Sequence, residues 1–175
     1  IVRLLLSTEG VDKNQATTDG YTPLLIACQH GHLDIVRLMM PTEGVDKTQA
    51  SKTGTSPLFI ACAKGHLEVV RLLLSTEGVD KNQAKTDGYT PLLVACYNGH
   101  LDIVRLLLST EGVDQNRANK SGASPLNIAC QNGHLDIVRL LLSTEGVDKN
   151  QATTDGASSL FVACQNGLLD IVRLL

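Results

Sequence analysis

The chain has 175 residues, 43% of them hydrophobic, and a net charge of −3. With no Trp, two Phe and three Tyr, any core must be aliphatic. The balance of charge offers no basic face for nucleic acid, and no apolar run approaches the roughly 18 residues that a membrane helix needs.

The chain repeats itself. Val-Arg-Leu recurs at Val2, Val36, Val70, Val104, Val138 and Val172, each 34 residues after the last. Self-similarity at such a period marks a solenoid, in which each unit buries its apolar face against its neighbours. Residues that recur once per unit build the stack. Residues that differ between units are the candidates for function.

In chain order, residues 1–18 read as a partial unit that opens inside a helix at Ile1-Val2-Arg3-Leu4. Complete units follow at 19–52, 53–86, 87–120 and 121–154, and 155–175 is a truncated one, all in a single array 1–175. Neither end carries a polar capping unit, so a fragment of a longer array is expected, with its weakest parts and exposed apolar faces at the two ends.

The unit 87–120 shows the predicted elements. Asp87-Gly88-Tyr89 is a turn. Thr90 then Pro91 gives a helix N-cap and a proline at the first helical position. Leu92, Val94, Ala95 and Cys96 are the apolar residues of this short first helix, and Gly99 stops it. His100 opens a second helix whose stripe is Leu101, Ile103, Val104, Leu106 and Leu107. Asp102 suits the helix dipole, and Arg105 is placed to pair with it. Ser109-Thr110-Glu111 closes the helix, Gly112 caps it, and a polar stretch from Asp114 to Lys120 leads to the next turn. The fold class is therefore all-α: stacked helix-turn-helix units joined by hairpin-like β-turn loops.

Cys28, Cys62, Cys96, Cys130 and Cys164 are also spaced by the period. Packed helices lie about 8–10 Å apart, too far for the roughly 7 Å limit of a disulfide. All five are expected to be buried free thiols, which places the protein inside the cell, in the reducing cytoplasm.

His32, His66, His100 and His134 each open the second helix of their own unit, so they do not converge as zinc ligands must. The cysteine ladder fails the same test. Catalysis by Ser–His–Asp or Cys–His needs unlike side chains on one point, which a ladder does not supply. The glycines sit at turns and helix stops, not in a phosphate cradle. No enzyme activity and no cofactor or metal is expected.

The string Asp19-Gly20-Tyr21-Thr22-Pro23-Leu24-Leu25-Ile26-Ala27-Cys28, continued by Gln29-His30-Gly31-His32-Leu33-Asp34-Ile35-Val36-Arg37-Leu38, resembles the ankyrin repeat. The likeness recurs in every unit and covers the whole chain. It departs from the family pattern in four ways. The histidine after Thr-Pro-Leu is replaced by Leu25, Phe59, Leu93, Asn127 and Phe161. The second alanine of the family's pair is Cys throughout. The period is one longer than the usual 33 or so. The last unit has Ser159 for Pro and Leu168 for His.

The resemblance implies a protein–protein interaction module, with turn tips and first helices lining a concave groove. The positions that vary between units fall there: Lys52, Thr53, Lys85, Asp87, Asn119, Lys120 and Ser121 in the turns; Tyr21, Thr55 and Tyr89 after the turn glycine; and Gln29, His30, Ala63, Lys64, Tyr97, Asn98, Gln131 and Asn132 at the ends of the first helices. All three tyrosines are among them, a residue type enriched at binding hot spots. Lys52, Lys64, Lys85 and Lys120 offset Asp19, Asp87 and Asp155, so the groove reads as mixed in charge. The expected partner is another protein, with self-association possible through the uncapped ends. The alternatives are a targeting or autoinhibitory arm of a larger enzyme, or a spacer with no specific partner.

Overall fold

The computed structural model describes residues 1–175. It holds eleven helices and no strand: α1 (Val2–Ser7), α2 (Pro23–Gln29), α3 (Leu33–Met39), α4 (Pro57–Lys64), α5 (Leu67–Leu74), α6 (Pro91–Asn98), α7 (Leu101–Leu108), α8 (Pro125–Gln131), α9 (Leu135–Ser143), α10 (Ser159–Gln165) and α11 (Leu169–Val172).

The first helices start where the sequence places a hydroxyl before the apolar run. Thr22, Ser56, Thr90 and Ser124 accept the backbone N–H of Leu25, Phe59, Leu93 and Asn127, with proline at the next position. Each cap satisfies a donor that the helix leaves unpaired. Ser158 does the same for Phe161, so losing proline at Ser159 does not cost the last unit its cap. Gly65 and Gly99 end α4 and α6 in the left-handed conformation, at φ 78° and 76°.

The second helices start where the sequence places them and depart from expectation where they stop. His66, His100 and His134 occupy the N-cap position but make no side-chain cap bond. Their rings turn to the preceding unit instead. Nε2 of His66 donates to Gln29 O (3.0 Å), that of His100 to Ala63 O (3.3 Å) and that of His134 to Tyr97 O (3.0 Å). At the other end Gly112 does not cap α7. Ser109 is the C-cap, its N–H bonding Arg105 O (3.1 Å), and the Thr110 hydroxyl just beyond it donates to Leu106 O (2.7 Å). Gly112 instead turns the loop beyond, at φ 84°.

First helices α2, α4, α6, α8 and α10 pack neighbour on neighbour, and each packs on its own second helix; second helices touch one another less. The result is a solenoid with the first helices on the inner side. Leu24, Leu58, Leu92 and Leu126, with Val36, Val70, Val104 and Val138, are buried in one apolar cluster that runs along it. The tips are hairpin-like: Lys85 N donates to Tyr89 O (2.9 Å) and Gly88 N to Lys85 O (2.9 Å). One main-chain bond ties each tip to the next, from Lys52 N to Asp19 O, Thr86 N to Thr53 O, Lys120 N to Asp87 O and Thr154 N to Ser121 O, at 2.9 to 3.2 Å.

Two further expectations are corrected. Cys164 is exposed while the other four thiols are buried, because no further first helix lies over α10. The Asp102–Arg105 pair does not close; its counterparts Glu68–Arg71 (3.7 Å) and Asp170–Arg173 (3.3 Å) do. All of these groups are solvated, where such pairs contribute only a few tenths of a kcal/mol, so the stack does not depend on them.

The long loops carry a second ladder, made of asparagines. Asn82 Nδ2 donates to Gly112 O (2.6 Å) while its Oδ1 accepts from Asp114 N (2.8 Å). Asn14 clamps Gly44 and Asp46 in the same way, and Asn116 clamps Gly146 and Asp148. Thr48 occupies this position in the unit 19–52. Its short hydroxyl bonds Asp46 Oδ1 (2.8 Å) within its own loop. Thr48→Asn is therefore expected to raise stability by about 1 kcal/mol, the net contribution of one or two such bonds. The urea midpoint should rise with an unchanged slope; an unchanged midpoint would show that the clamp contributes nothing at this seam.

Candidate functional site

The inner face is built from the tips and the first helices, and the structure sorts the expected site residues into several groups. His30, Lys52, Thr53, Lys64, Asp87, Tyr97, Asn98, Lys120, Ser121, Gln131 and Asn132 are exposed. Tyr21, Gln29, Ala63, Lys85, Tyr89 and Asn119 are half-buried. Thr55 is buried at 4% exposure, with its hydroxyl 3.2 Å from Thr53 Oγ1, and is unavailable to a partner. Ala123, at the same position two units on, is buried as well.

Several of the asparagines are occupied locally. Oδ1 of Asn119 accepts from Ser121 N (3.0 Å), Ser121 Oγ (2.7 Å) and Ala123 N (3.0 Å), and so shapes its own tip. Asn98 and Asn132 donate to Val94 O (2.9 Å) and Ile128 O (2.8 Å) on the helices they end.

The central unit concentrates the chemistry. The Tyr89 and Tyr97 rings meet edge to face, centroids 6.2 Å apart at 86°, an arrangement the aromatic quadrupole favours. Tyr97 remains 49% exposed. Burial raises the Tyr89 hydroxyl above the usual phenol range, with Asn119 pulling the other way. Lys85 Nζ lies 5.5 Å above the Phe59 ring and 3.3 Å from Asp87 Oδ2. Phe59 is only 6% exposed and packs in the core, and its ring face also fixes that lysine. The two residues sit near opposite ends of the unit 53–86, a juxtaposition that no local pattern signals.

The face continues into a depression of about 570 Å³ between Ser121, Gln131, Thr153, Asp155, Phe161 and Gln165. Phe161 is 57% exposed there, whereas its counterparts Leu25 and Leu93 are fully buried. The periodic position implies the same packing role for it; the missing cover over α10 is what exposes it. No three His, Cys, Asp or Glu side chains come together in a metal-holding group. No helix is long and apolar enough to cross a membrane.

A family model described as ankyrin repeats in three copies matches residues 1–85, 43–119, 73–153 and 111–175. The chain belongs to the ankyrin-repeat family. A comparison with curated proteins finds no match. Ankyrin repeats are in general protein–protein interaction modules, and the helix pairs and linked tips described above are this array's version of them.

Within this ankyrin array the cysteines are spacers in the packing. Burial pushes the Cys28 and Cys130 thiols up to about 12, and raises Cys62 and Cys96 further still. The thiolate is the reactive form, so at pH 8 Cys164 is expected to react with a thiol reagent within minutes while the other four stay silent until the chain unfolds. Mass spectrometry of the labelled peptides would read this. Equal labelling of all five in the folded protein would contradict the burial described here.

Proposed function

We propose that this array binds another protein through its inner face, with Tyr97 at the centre of the contact and the tips from Lys52 to Ser121 along one edge. The observation that carries this reading is the Tyr89–Tyr97 pair. A half-exposed tyrosine held edge-on by a second ring is a rigid, amphipathic anchor that loses little conformational freedom on binding. The units on either side have Ala63 and Gln131 at the same position, so the anchor is peculiar to one unit and is not required by the stack. The array acts as a scaffold and performs no chemistry of its own. Four buried, unpaired thiols support a reducing, cytoplasmic setting for it.

The test is capture from lysate by the intact array, with the Tyr21→Ala/Tyr89→Ala/Tyr97→Ala variant beside it. A protein retained by the first and lost by the second is the expected result. Tyr97→Ala alone, the least buried of the three, should weaken retention about tenfold or more, as hot-spot aromatics do. Equal recovery on a variant that keeps its helical circular dichroism would sink the tyrosine face and favour a spacer.

A further inference from the structure

Counted over the whole inner face, charge is mixed, as the sequence suggests. Counted over its central stretch it is not. On the tips and first helices from residue 51 to residue 132 the only charged residues are Lys52, Lys64, Lys85, Lys120 and Asp87, although the chain as a whole carries −3. The other acidic tip residues, Asp19 and Asp155, lie on the tips at either end of this stretch, each joined to it by one main-chain bond. The remaining carboxylates of this stretch lie on second helices and long loops, as Glu68, Asp102 and Asp114 do.

The one central carboxylate is already matched. Asp87 pairs with Lys85 at 3.3 Å, and Lys85 is held against Phe59. Lys52, Lys64 and Lys120 have no ion-pair partner, and all three are exposed. The main-chain bonds that link the tips, from Thr86 N to Thr53 O and from Lys120 N to Asp87 O, hold the tip lysines on one continuous edge. Tyr97, on α6 against the Tyr89 ring of the central tip, has about half its surface open.

We infer that the face accepts an acidic peptide segment of a partner protein, carboxylates toward Lys52, Lys64 and Lys120 and an apolar side chain on Tyr97. The inference rests on the protein-binding reading above and narrows it to one chemistry. Cationic charge on a fixed frame attracts an acidic chain from a distance and selects against basic ones. An apolar contact at the centre then sets register, which charge alone does not. A peptide fits better than nucleic acid because the frame has no arginine, keeps a carboxylate at its middle and belongs to a chain of net negative charge.

The experiment is a titration of the 175-residue chain, labelled with nitrogen-15, with the synthetic peptide (Glu-Glu-Leu-Glu)₃, read by amide shifts. Parallel titrations use the same peptide with Gln for Glu, and a single-stranded oligonucleotide of similar charge. The expected result is saturable shifts gathered at residues 52, 64, 85, 97 and 120, with binding weaker at high salt. The Gln peptide should bind about tenfold more weakly or not at all. The Lys52→Gln/Lys64→Gln/Lys120→Gln variant should lose a similar factor, since each exposed charge contributes a severalfold effect at most. These lysines are solvated, so the variant should keep its fold, which its own amide spectrum checks. No binding, binding unaffected by the lysine substitutions, or tighter binding of the oligonucleotide would each overturn the inference. If the peptide fails while lysate capture still depends on Tyr97, the acidic partner falls and the protein-binding reading stands. If both fail, both fall.

Discussion

Gly88→Ala is expected to destabilise the array by about 3 kcal/mol or more, one of the largest effects available to a single methyl group. Gly88 has φ 86°, where a Cβ meets Lys120 N at 2.7 Å and Asn119 Cα at 3.0 Å. Both are backbone atoms of the next tip and cannot swing aside. Relief requires the tips to separate, which breaks the bond from Lys120 N to Asp87 O. Gly156 is the matched control. It has φ 84° at the same point of its own turn, with nothing within 4 Å of the added atom. Gly156→Ala should therefore cost only the left-handed strain of an L-residue, about 1–2 kcal/mol. Denaturant midpoints of the two variants measure the difference. Equal losses would mean that the tips do not couple neighbouring units.

Leu107→Ala is expected to cost about 3 kcal/mol, within the range for a fully buried leucine whose cavity cannot collapse. Leu107 is completely buried between α6 and its neighbours, with Leu73 and Leu141 equally buried at the same position on either side. Leu5 holds that position in the first helix of the chain and is 49% exposed. Leu5→Ala should cost less than about 1 kcal/mol, because half of its apolar surface never leaves water. In a stacked array the central loss also weakens two interfaces, so unfolding of Leu107→Ala should broaden or split into two steps. A sharp single transition with the same loss for both variants would contradict the ladder of burial.

What the sequence made legible was the part encoded within one unit. A Thr or Ser before the apolar run marked the start of each first helix, and the apolar stripe marked the second. Bonds between units were not legible in the same way. The sequence puts His100 at a helix start, but the partner of its ring, Ala63 O, lies 37 residues earlier. That partnership explains why the preceding glycine is needed, since a Cβ at Gly65 would meet the His100 ring at 2.7 Å. Leu168 breaks the pattern, and there Asn166 Nδ2 reaches Gln131 O at 3.4 Å in place of the ring.

The candidate site shows the same division. Tyr97 and the lysines were visible as departures from an otherwise constant unit. Thr55 was a departure too, but a varying residue need not be an exposed one, and the tip folds this position inward. Phe161 was missed for the opposite reason, because a periodic position implies burial only where another unit covers it. The asparagine clamps and their gap at Thr48 were also missed, because the loop looked invariant and its bonds cross to the next unit.

The measurement that tests the central claim most directly is photo-crosslinking from a benzoylphenylalanine placed at position 97 and, separately, at position 105. Tyr97 is on the inner face and Arg105 is exposed on the second helix of the same unit. Position 97 is expected to capture a discrete protein and position 105 is not. Capture from position 105 alone would place the interface on the outer side and contradict binding through the inner face.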